Sequence, residues 1–74
     1  MGLRVRITGT GTDKLRVRAG PGTDNATLMI VTDGTEFKVL EGPQTQGGYA
    51  WWRIEAADGT VGWAVEQFLQ PIGP

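Results

Sequence analysis

Turn chemistry interrupts this chain before any long element can form. Gly9–Asp13 (GTGTD), Gly20–Asn25 (GPGTDN), Thr32–Thr35 (TDGT), Gly42–Gly48 (GPQTQGG) and Asp58–Gly59 (DG) are clusters of turn-favouring residues. Glycine reaches backbone angles that other residues resist, and proline removes an amide donor. Each cluster therefore ends the hydrogen-bonded ladder that precedes it. Between the clusters lie runs of four to eight residues rich in Val, Ile, Thr and aromatic side chains, which is strand composition. No window carries a sustained helical period of apolar residues. The expected fold is all-β, with five or six short antiparallel strands.

Alternation assigns faces to these runs, because successive side chains of a strand point to opposite sides. In Leu3–Thr8, Leu3, Val5 and Ile7 share one face and Arg4, Arg6 and Thr8 the other; in Leu15–Ala19, Leu15, Val17 and Ala19 oppose Arg16 and Arg18. The tetrapeptide Leu-Arg-Val-Arg that occurs in both is a compact way of writing a half-buried strand, and nothing beyond it repeats. Pro21 cannot occupy the middle of a ladder, so the second copy must leave the sheet there. Ala26–Val31 is nearly all apolar, which fits either burial on both sides or a bulge. In Thr35–Glu41, Phe37 and Val39 oppose Glu36 and Lys38. Asp33-Gly34 and Asp58-Gly59 are hairpin turn dipeptides. In Tyr49–Ala56, the apolar set Ala50, Trp52, Ile54 and Ala56 belongs in the core, with Trp63. The other set, Tyr49, Trp51, Arg53 and Glu55, is expected outside, with Trp51 and Tyr49 as an exposed contact surface. Strands this short gain most by closing into a small barrel, which hides their edges.

Composition narrows the chemistry. The 74 residues read as one domain over 1–74, part of a longer protein, with a thin core. Cys, His and Ser are all absent, so disulfides, Cys/His zinc sites and nucleophile–base triads are excluded. No catalytic residue, metal or cofactor is expected. The best carboxylate pairs, Glu36 with Glu41 and Asp58 with Glu55, read as solvated charge. A net charge of −1 argues against nucleic acid as a partner. The charge is uneven, however: residues 1–18 hold five basic groups against one acid, and the remainder holds two basic groups against seven acids. The plainest account of the basic rows is solvated strand faces pairing with acids on neighbouring strands. No apolar run approaches the ~20 residues that span a bilayer, so no membrane insertion is expected.

The order of these motifs resembles the bacterial SH3-like (SH3b) domain over about residues 4–70. Leu15-Arg16-Val17-Arg18 with Gly20-Pro21-Gly22 matches the opening motif of that family. Gly34 matches its turn glycine and Trp51-Trp52-Arg53-Ile54 its Trp motif. Asp58-Gly59, Gly62-Trp63 and Phe68-Leu69 match its closing run. The resemblance implies an SH3-like barrel with one 3₁₀ turn near Val65–Phe68. It also implies a non-catalytic binding module of an exported or cell-envelope protein. The ligand would be a cell-wall (peptidoglycan) peptide or another short peptide, held on Trp51, Tyr49 and Phe68. Asp24 and Glu66 would face its amines, and Arg16, Arg18 and Arg53 its carboxylates. The alternative is an interaction module packed on a neighbouring domain or partner protein, with no ligand of its own. The final third also resembles eukaryotic SH3 domains, with Trp51 and Phe68 at groove positions. Val65 stands where their groove proline would be and the early tyrosines are missing, so proline-rich ligands are not expected. A monomer is expected, and the Gly42–Gly48 loop leaves a strand-swapped dimer open.

Overall fold

A computed structural model describes residues 3–11 and 14–73; Thr12 and Asp13 of the first turn cluster lie outside them. The elements in chain order are β1 (Arg4–Ile7), β2 (Leu15–Arg18), β3 (Thr27–Val31), β4 (Glu36–Gln46), β5 (Tyr49–Glu55), β6 (Val61–Val65), a 3₁₀ turn (Glu66–Phe68) and β7 (Leu69–Gly73). They form one antiparallel sheet in the order β3-β2-β6-β5-β4-β1-β7. The sheet curls round a single core: Val5 and Ile7 of β1 share one buried cluster with Leu15 and Val17 of β2, Val31 of β3, Phe37 of β4, Ile54 of β5 and Ala64 of β6. This is the all-β, SH3-like architecture expected, with a seventh strand added. The seventh strand contains Pro71, which has no amide donor. It is accommodated because β7 is an edge, where a missing amide donor breaks no ladder.

The alternation of β1 and β2 holds, with Val5, Ile7, Leu15 and Val17 inside and Arg4, Arg6 and Arg16 outside. Ala26–Val31 resolves in favour of the bulge. The pairing of β2 with β3 slips between Val17 and Arg18, and β3 is an edge strand whose Leu28 and Ile30 are exposed. Gly42–Gly48 is not a free loop. Strand β4 continues to Gln46 through two register shifts against β5, and only Gly47 and Gly48 turn the hairpin. Gly42 makes this possible. Its φ is +131°, and a Cβ there would lie 2.9 Å from Trp52 Cε3 and 3.0 Å from Trp51 O, so the bulged strand fits against β5 only without a side chain.

The two hairpin dipeptides behave as expected. Asp58 Oδ1 accepts the Thr60 amide at 2.9 Å. Asp33 accepts the Thr10 amide at 3.1 Å and the Thr10 hydroxyl, which ties the chain after β1 to the β3–β4 turn. The Thr10 hydroxyl, followed by the Thr10 amide, holds the Asp33 carboxyl below its ordinary pKa. A carboxyl depressed in the folded state stabilises above its unfolded pKa and loses that contribution as pH falls through the folded value. Asp33→Asn is therefore expected to lower the melting temperature at pH 7 and to narrow the gap between wild type and variant near pH 2.5. Thermal melts at the two pH values check this; a gap that persists in acid would show that the carboxylate charge is not what matters.

Candidate functional site

The outer face of the sheet carries the candidate site. Residues directly opposite in antiparallel strands put their side chains on the same side. Arg16 faces Ile30, Arg18 faces Trp63, Trp63 faces Arg53, and Trp51 faces Val65. This row runs across β3, β2, β6 and β5 on the side away from Ile54 and Ala64. The parity expected for Trp51 and Arg53 is thus correct, but the expected exposure of Trp51 is not: the residue is only 1 % exposed. The cause is tertiary. The Trp51 indole N–H donates to Gln46 O at 3.0 Å. The Gly20–Asn25 loop comes back towards the same place, where Gly22 is buried and a Cβ on it would lie 3.2 Å from Gln46 Cγ. Loop and hairpin end therefore close on each other beside the indole. The loop is braced from within: Arg18 Nη1 donates to Asn25 O at 3.0 Å, and Asn25 Nδ2 donates to Pro21 O and Gly22 O at 3.1 and 3.2 Å.

Beside this covered indole runs an open groove of about 590 Å³, lined by Lys14, Leu15, Arg16, Arg18, Thr23, Ile30, Trp51 and Val65. Its size is within the range of ligand clefts. Its apolar lining is Leu15, Ile30, Trp51 and Val65, its polar lining is basic or neutral, and no carboxylate is among these residues. Of the eight residues singled out as ligand contacts, Trp51, Arg16 and Arg18 line this groove. Tyr49 is exposed at the end of the β4–β5 hairpin, opposite Gln46. Arg53 pairs with Glu41 at 3.4 Å. Asp24 is exposed in the loop next to the groove residue Thr23. Phe68 packs half-buried against the core, and its carbonyl accepts the Thr8 amide at 3.0 Å.

Glu66 lies at a second, smaller hollow. Trp52, expected in the core, is only half-buried. It packs on the core cluster and donates its indole N–H to Glu66 Oε1 at 3.2 Å. The two residues border an apolar crevice of about 150 Å³ with Leu3, Val5, Val39, Leu69 and Pro71. The tryptophans have thus exchanged roles: Trp51 is the buried one and Trp52 the one with an accessible edge. Sequence reading missed Lys14, Thr23, Ile30 and Val65 as groove residues. The common parity of Arg16 and Arg18 was visible, whereas the approach of Thr23 and Val65 depends on the path of the loop.

A family model for the bacterial SH3 domain matches residues 13–70. The chain belongs to this family. No curated protein and no solved structure matches it significantly. Membership makes the coarse function that of a binding module of cell-wall-associated proteins, a class that is generally non-catalytic. In this bacterial SH3 domain, β1 precedes the matched segment yet is integral to the fold, since Val5 and Ile7 are core residues and β1 bridges β4 and β7. Among the described residues, no group of three carboxylates gathers as a metal site would need. No helix among them is long and apolar enough to cross a membrane.

Proposed function

We propose that this domain is a non-catalytic module that holds its parent protein to the bacterial cell wall by binding wall peptide in the outer-face groove. The observation that carries the reading is the groove itself: Ile30 and Val65 offer apolar contacts beside the basic Lys14, Arg16 and Arg18, above the buried Trp51, on a chain of a cell-wall-associated family. Affinity for one peptide is expected in the micromolar to millimolar range. A shallow site recovers little beyond the entropy lost on association, and repetition of the ligand along a polymer compensates.

Retention on purified peptidoglycan sacculi tests this. Wild type is expected to sediment with sacculi. Ile30→Asp, at a residue 55 % exposed on the groove edge, is expected to remain folded and lose retention. Tyr49→Ala, outside the groove, is expected to be retained. Loss with Tyr49→Ala and not with Ile30→Asp would move the contact surface to the hairpin end.

One observation favours the alternative of a protein-interaction module. Strand β3 pairs on one side only and exposes Leu28 as well as Ile30, so a partner strand could add to it. Failure of wild type to bind sacculi would support that reading.

A further inference from the structure

We infer that the groove is a track for an extended peptide segment bearing carboxylates at every second residue. The inference rests on the peptide-binding reading above and adds the chemistry of the ligand. Lys14, Arg16 and Arg18 share one parity, and all three line the groove. Alternate side chains of a strand are spaced by about 6.6 Å, and an extended ligand has the same repeat. Carboxylates two residues apart therefore meet the basic row in register.

No carboxylate among the described residues pairs with the row. Among the described residues, Arg4 is paired with Glu36 at 3.3 Å and Arg53 with Glu41 at 3.4 Å, whereas no carboxylate lies within 4.0 Å of Arg16 or Arg18. Arg18 is nonetheless held in place by its hydrogen bond to Asn25 O, so its head group is oriented while its charge remains available. Ile30 stands directly opposite Arg16, which places an apolar contact beside the charge and suits a segment that alternates acidic with aliphatic residues.

A phosphodiester backbone also presents repeated negative charge, but single-stranded nucleic acid gains much of its affinity by stacking bases on exposed aromatic rings. Both indoles of this face, Trp51 and Trp63, are buried. The chain as a whole carries a net charge of −1. These features favour an acidic peptide.

The test is titration of the whole chain, followed by amide chemical shifts, with a blocked heptapeptide that alternates glutamate and leucine. Its glutamine counterpart, an isomer with the glutamates contiguous, and a thymidine oligonucleotide serve as comparisons. The alternating peptide is expected to bind about tenfold more tightly than the glutamine version and to weaken as salt rises past about 0.1 M. Arg16→Glu is expected to cost about tenfold, and Lys38→Glu, at an exposed position outside the groove, to change nothing. Equal binding of the glutamine peptide, equal binding of the contiguous isomer, or tighter binding of the oligonucleotide overturns the inference. Sacculus retention that ignores both Arg16→Glu and salt also overturns it, while leaving the wall-binding reading intact. Peptide binding without sacculus retention does the reverse.

Discussion

Trp51→Ala is expected to destabilise the domain by about 3–5 kcal/mol, the usual cost of deleting a buried large aromatic side chain. The variant removes a side chain that is 1 % exposed and leaves Gln46 O without its indole donor. For a domain of this size the loss is worth more than about 10 °C in melting temperature. Trp51→Phe keeps most of the apolar area and forfeits the hydrogen bond, so a smaller loss of about 1–2 kcal/mol is expected. Chemical denaturation of the three proteins measures both. A contact-surface tryptophan would behave differently, because substitutions at exposed positions away from special features stay within about 0.5 kcal/mol. The experiment thus separates a pillar beneath the groove from a ligand platform. Loss of sacculus binding in Trp51→Ala carries no information about contact unless the variant is shown to be folded.

Gly62→Ala is expected to cost about 3 kcal/mol, at the upper end of what overpacking a core does. The new methyl would lie 2.5 Å from Val17 Cγ1 and 2.9 Å from Arg18 O, where β6 crosses closest to β2. The side chain of Val17 is itself fully buried and has no room to withdraw, and the carbonyl belongs to the β2 backbone. Combining Gly62→Ala with Val17→Ala removes one of the two clashes. The pair is expected to be less destabilised than the sum of the single variants by more than about 1 kcal/mol, as residues in direct contact commonly are. Additive losses would mean that the strands simply separate to admit the methyl.

The physical reason that the fold was so legible is that its determinants are local. Turn dipeptides at Asp33-Gly34 and Asp58-Gly59 and the alternation of β1 and β2 act within a few residues, and each is realised as the sequence implied. Strand β4 was misjudged because the glycines and Pro43 of Gly42–Gly48 read as a loop. Pairing with β5 absorbs them as register shifts instead. Site residues were less legible because exposure is a tertiary property. The period of β5 put Trp51 on the correct face, but no local rule says that a distant loop will cover it. The same limit applies to Trp52, whose core parity takes it to the rim, where Glu66 accepts its indole N–H. The basic row was visible as parity, and what the structure adds is that, among the described residues, two of the arginines on other strands are paired while Arg16 and Arg18 are not.

The central claim is that ligand binding belongs to the outer-face groove. Amide shift mapping during titration with soluble peptidoglycan fragments tests it most directly. The account predicts perturbations concentrated at Lys14–Arg18, Thr23, Ile30 and Val65, with the Trp51 indole N–H still protected in its bond to Gln46. Perturbations centred instead on Trp52, Glu66 and Leu69, or on Tyr49, would contradict it.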